Sequence, residues 1–128
     1  MEKTWSLKRT VQCAKCPWKV KTNPFDIPGN YCETKHCNLE STIADPENPV
    51  QSFLAAELKG EWQIMACHHS KPGEEEHCVG WIENQLGAGN NIMLRLRMMS
   101  CANASELRTD GEQHIRFEDT LPKNKTIC

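Results

Sequence analysis

Two pairs of cysteines constrain this chain more than any other feature. Cys13-Ala-Lys-Cys16 is a CxxC knuckle, and Cys67 and Cys78 stand fifty residues further on. Two intervening residues let both thiolates of a knuckle aim at one ion, with backbone N–H groups free to hydrogen-bond the sulfurs. A closed zinc site takes four such ligands in a tetrahedron, with Zn–S near ~2.3 Å. Cys67 and Cys78 are the best candidates for the second pair. They bracket a polar loop, with an expected strand leading in and an expected helix leading out. That topology returns the chain to one point, so both sulfurs can face the knuckle. The spacing CxxC…C-x10-C is not a standard zinc-finger pattern. Free thiols in a small core and disulfides are the competing readings.

The rest of the chain explains why a staple is expected. Its 128 residues fit one domain, but only 38% are hydrophobic, mean hydropathy is −0.63, and there are one Tyr and three Phe. A core this lean is expected to need a metal or disulfides. No stretch approaches the ~20 apolar residues that span a bilayer. The opening MEKTWSLKRT has no apolar run, so no signal peptide is expected and the cytosol is the expected compartment. There, eight cysteines read as ligands or free thiols before disulfides.

Other donors compete for the site. His68, His69 and His77 lie in the loop between Cys67 and Cys78, and Cys32, His36 and Cys37 share the 31–43 segment. His36 is the strongest alternate ligand, because Leu39 and Ile43 follow it on one helical face that should point inward. His68 and His77 are the other alternates. Cys101 and Cys128 look incidental. Four thiolates suit zinc or an iron–sulfur cluster, and zinc is favoured because the C-x2-C-x2-C run of ferredoxins is missing.

Residues 1–12 read as a strand or extended arm, and Pro17 stops the knuckle from continuing as a helix. NPFDIPGN (23–30) and DPENP (45–49) read as loops. Helices are expected over 31–43, over 50–59 with a stop at Gly60, over 78–86, and over 91–101 with Asn90 or Asn91 as N-cap. WQIMAC (62–67) reads as a strand. Residues 102–128 read as a strand or an extended tail.

Catalytic motifs mostly fail. The zinc deaminase signature needs H-x-E and P-C-x-x-C, whereas here Pro17 follows the pair. No H-E-x-x-H and no glycine-rich phosphate loop occurs. A thioredoxin-like CxxC wants a βαβ frame that the first 30 residues do not offer. Charge is uneven: residues 1–25 carry Lys3, Lys8, Arg9, Lys15, Lys19 and Lys21 against Glu2, so the net −2 leaves −7 for the remainder. A basic segment can meet phosphates or an acidic surface.

Three stretches, CAKCPW, MACHHSKPGEEEHCVGW and NQLGAGNNIMLRLRMM, resemble an uncharacterised family of small phage and prophage proteins, a domain of unknown function. IPGNYCETKHCNLESTIA fits the same family, and the resemblance covers about residues 10–121. It implies a viral or prophage origin and a metal site, but no activity. Its signature positions are Cys13, Cys16, Cys67 and Cys78, with Pro17, Trp18, His68, Ser70, Pro72, Gly73, Gly80 and Trp81. As a shell these make sense. Trp18 and Trp81 can cover the metal, Gly73 permits a loop reversal, and Gly80 lets a helix approach the knuckle.

The expectation is therefore a small α+β domain over residues 1–128, with a few helices and short strands around a Cys-rich site. The knuckle (13–18) and the loop (67–78) would hold a structural Zn²⁺, with an iron–sulfur cluster as alternative. The expected role is a phage accessory protein that binds a host macromolecule, a host protein first, in the host cytoplasm and away from membranes. Lys15, Lys19, Lys21, Glu74, Glu75 and Glu76 are the expected binding surface. The second reading is a nucleic-acid module using the basic segment with Arg95 and Arg97, although those two lie about 200° apart on a helix. The third is an enzyme with a metal-bound water and His68, His69 or His77 as acid/base, which four cysteine ligands leave no room for.

Overall fold

The computed structural model describes residues 2–27, 31–60, 63–67 and 76–122. Four α-helices carry the described part: α1 (Glu33–Asn38), α2 (Pro49–Lys59), α3 (Val79–Leu86) and α4 (Ile92–Met98). Short 3-10 turns follow α1 and cover Pro24–Asp26, Ala104–Glu106 and Phe117–Thr120.

Helix α3 is the centre. Val79, Gly80, Trp81, Ile82 and Gln85 are all buried, so almost the whole helix faces core. Leu94 of α4, Met65, Trp18 and Phe117 pack around it. Burying a side chain such as Ile82 or Leu94 stabilises the fold by roughly 1.5–3 kcal/mol. The α3–α4 corner is set by polar groups. The Asn91 side chain caps α4 by accepting from Leu94 N–H at 3.0 Å. Its Nδ2 also donates to Gln85 Oε1, which accepts the Ala44 N–H as well.

Three expected helices stand close to where the sequence puts them: α2, α3 and α4. Pro49 opens α2 and Gly60, at φ +66°, closes it. The other expected boundaries move for local reasons. The 31–43 segment stays α-helical only to Asn38, because Ser41 and Thr42 hydroxyls donate to the carbonyls of Asn38 and Leu39. At the end of α4 the N-terminal arm bonds carbonyls of the last turn and just beyond it. Trp5 Nε1 donates to Arg97 O, Lys3 Nζ to Met99 O, and Thr4 N–H to Ser100 O.

The α+β expectation is corrected to four helices with no sheet among the described residues. The expected strands pair only as isolated bridges: Trp5 with Cys101, Val11 with Arg108, Lys19 with Gln113, and Ala66 with His77. The arm's partner, residues 100–114, contains a 3-10 turn and Gly111 at φ +75°, so no ladder can run on. The expected tail is instead structural through Pro122. Leu107 and Phe117 enter the core, and Asn103 clamps the arm by bonding both backbone groups of Leu7. No helix among the described residues is long and apolar enough to cross a membrane.

Candidate metal centre

The knuckle is shaped by two successive backbone turns, Cys16 N–H to Cys13 O at 3.3 Å and Lys19 N–H to Cys16 O at 3.1 Å. Cys67 and Cys78 are brought together by the Ala66–His77 bridge. Cys67 N–H donates to Glu76 O, and Cys78 N–H donates to Met65 O. Cys78 is then the N-cap residue of α3. The two pairs meet in the core. Cys16 Sγ lies 3.8 Å from Cys78 Sγ, and Cys13 lies within electrostatic reach of Cys16 and Cys67. The four thiols belong to one buried core cluster, and none of the four residues is more than 7% exposed. They are free thiols. Among the described residues, no group of three or more His, Cys, Asp or Glu side chains is placed to hold a metal ion.

Of Cys13, Cys16 and Cys78, only Cys16 is shifted toward the thiolate. Its thiol is pushed down to about 3, chiefly by the hydrogen bond from Cys13, then by that from Cys78, with the Trp18 backbone N–H and Gln12 adding to the effect. Cys13 and Cys78 shift upward, because each donates to Cys16 and both are buried. The Trp81 backbone N–H favours charge on Cys78. Arg9 adds a cation, in electrostatic reach of Cys67 and Cys13, while its Nε holds Glu76 at 3.0 Å. A low-lying thiolate beside cationic and N–H donors is a competent soft-metal ligand.

Gly80 permits this approach, as the sequence suggested. A Cβ there would lie 2.7 Å from Trp18 Cβ and 2.8 Å from Cys16 Sγ. Trp18 and Trp81 are fully buried beside the sulfurs' own segments, with Trp18 Nε1 on Met65 Sδ and Trp81 Nε1 on Thr42 O.

The alternates fare differently. His36 points inward as expected, but both ring nitrogens are committed elsewhere. Nδ1 faces Tyr31 OH at 2.8 Å and Nε2 faces Thr120 Oγ1 at 3.1 Å, which ties α1 to the 117–120 turn. His77 packs on the Trp5 ring, 5.5 Å between centroids, and its pKa is lowered by burial and by Arg97. His68, His69, Ser70, Pro72, Gly73, Glu74 and Glu75 lie outside the described residues. Cys37, buried on α1, is disulfide-bonded and is not a metal candidate.

The expected binding surface changes too. Lys15 and Lys21 are exposed. Lys19 is not a surface cation: its side chain is buried and reaches Asp110 at 3.2 Å. Glu76 is half-buried and paired with Arg9. Sequence reasoning missed Gln12 altogether and read Arg9 only as one charge of the basic segment. Nothing in their local pattern marks them, since both acquire their roles only through residues far along the chain.

A family model described as a family of unknown function (DUF6283) matches residues 8–120. The chain belongs to this family. The match takes in all four cysteines, so the sulfur cluster lies inside the segment that defines DUF6283. No curated protein and no solved structure matches the chain.

Proposed function

We propose that this chain is a zinc-binding accessory protein in which Cys13, Cys16, Cys67 and Cys78 hold one structural Zn²⁺. The 3.8 Å separation of Cys16 and Cys78 sulfurs carries this reading. Four sulfurs at ~2.3 Å from one ion stand about 3.8 Å apart along each tetrahedral edge. Zinc is favoured over an iron–sulfur cluster because the C-x2-C-x2-C run of ferredoxins is missing. Binding would draw the thiols into a tetrahedron and tie the N-terminal arm to the start of α3.

Four thiolates fill a tetrahedral zinc and leave no position for a reacting water, so the role is non-catalytic. The resemblance to small phage proteins supports a phage origin and a host macromolecule, a protein first, as partner in the host cytoplasm. The nucleic-acid reading loses ground. Of the six basic residues near the N-terminus, Lys3, Arg9 and Lys19 are spent on internal contacts with Met99, Glu76 and Asp110.

Elemental analysis of untagged protein tests the site. One zinc per chain, lost together with folding in Cys16→Ser, is the expected result. Wild-type protein that carries neither zinc nor iron and takes up neither on refolding overturns it.

A further inference from the structure

Helix α2 leans on the rest of the fold without sealing against it, since none of its 11 residues is buried. Between α2, the 41–44 segment and the start of α4 lies a cavity of about 290 Å³. Protein interiors are normally packed without voids of this size. Small-molecule sites begin at roughly 300 Å³. Ile43, Phe53, Ala56 and Met93 give the cavity apolar walls. Three polar side chains join them, each with hydrogen to donate. Lys59 makes no ion pair or hydrogen bond among the described residues. Gln63 accepts from Ser41 Oγ through its Oε1, which leaves its Nε2 hydrogens unused among the described residues. Ser52 Oγ accepts the Asp45 N–H at 2.9 Å, and no described acceptor takes its own hydrogen. The described lining residues include no carboxylate. Lys59 is their one charged group, in a chain whose net charge is −2. A lysine in the last turn of a helix suits the helix dipole, but that does not account for the free donors of Gln63 and Ser52 beside the same cavity.

We propose that this cavity binds a small organic anion, its apolar body against Ile43, Phe53 and Met93 and its carboxylate held by Lys59, with Gln63 and Ser52 as further donors. Apolar walls with a few polar groups that fix orientation are the usual make of such a site. The cavity shares no residue with the four-cysteine cluster, so it stands or falls apart from the zinc reading.

Octanoate and octanol are suitable probes, because they share a chain and differ in charge. Methyl NMR of the full chain follows Ile43, Ala56 and Met93 during titration. Octanoate should shift these signals saturably, with affinity roughly 5–10-fold above that of octanol. Added salt should narrow the difference. Lys59→Gln should abolish the preference and leave octanol binding as it was. Ala55 lines the cavity yet is exposed, so Ala55→Trp obstructs it without repacking a core and should remove both ligands. Both substitutions fall at exposed helix positions, where folding should be as in wild type. Three results each overturn the proposal: no saturable shift at the lining methyls, equal affinity for the two probes in wild type, or a preference for octanoate that survives Lys59→Gln.

Discussion

The sulfur of Cys16 lies 3.8 Å from that of Cys78, although 62 positions separate the two residues. Neither lies in regular structure that pairs with the other. A turn delivers one and a helix N-cap delivers the other. If zinc joins them, losing either sulfur should cost far more than one hydrophobic contact. Structural zinc contributes on the order of 10 kcal/mol in small domains. Cys16→Ser and Cys78→Ser should both lose bound zinc and cooperative unfolding, and chelation of the wild type should reproduce the effect. Cys101→Ser is the control. That thiol is also buried but donates to Asn103 Oδ1 at 3.4 Å, outside the cluster, so zinc should stay at one per chain.

Gly80→Ala should damage the fold and the centre together. The added methyl would stand 2.7 Å from Trp18 Cβ and 2.8 Å from both Cys16 Sγ and Gln12 Nε2. None of these is the loose end of an exposed chain. Overpacking of this kind costs about 1–3 kcal/mol. Thermal melts of the zinc-loaded protein should show the loss, and competition with a chromophoric chelator should show weaker zinc. Unchanged values in both would mean that α3 does not sit this close to the knuckle.

Asn91→Ala should be milder. The side chain caps α4 through Leu94 N–H and bonds the buried Gln85. Loss of a cap costs about 1 kcal/mol, and the freed lone pair on Gln85 adds to it. Denaturant unfolding should move by about 1–2 kcal/mol at unchanged slope. Metal content should not change, since Asn91 contacts no cysteine of the cluster.

The sequence makes the helices legible because their signals are local: Pro49 and Gly60 bracket α2, and Asn91 caps α4. The four cysteines are legible for a related reason, since their residue type limits the chemistry. What sits around them is not legible. Gln12 reads as an ordinary polar residue until Gln113, 101 positions away, and Asp110 fix its amide. Lys19 reads as part of a basic face until Asp110 draws it inward. His36 reads as a ligand because its face is inward, and inward it is. Its nitrogens are claimed by Tyr31 from just upstream and by Thr120 from a segment that reads as tail. The expected sheet fails because strand propensity says nothing of the partner, and the partner segment is irregular.

Tyr31 supplies the last prediction. Its hydroxyl lies 2.8 Å from His36 Nδ1. Thr120 Oγ1 donates to Phe117 O at 2.6 Å and so must accept from His36 Nε2–H. That leaves Nδ1 as an acceptor, and Tyr31 must donate to it. Ionising the phenol destroys this bond. The Tyr31 phenol is pushed up to about 12 by burial, with Glu33 and Cys32 acting in the same direction. The ordinary phenol value is about 10. The folded state therefore holds the phenolic proton more tightly than the unfolded state does. The stability this contributes is fully present below about 10 and is lost as pH rises toward about 12. The chain has a single tyrosine, so phenolate absorbance reports this group alone. The native protein should titrate above the ordinary value and the denatured chain at it. His36→Phe should bring the native midpoint down, because the acceptor is gone. A native midpoint at the ordinary value would mean that Tyr31 is not held in this buried setting beside Glu33 and Cys32 in solution.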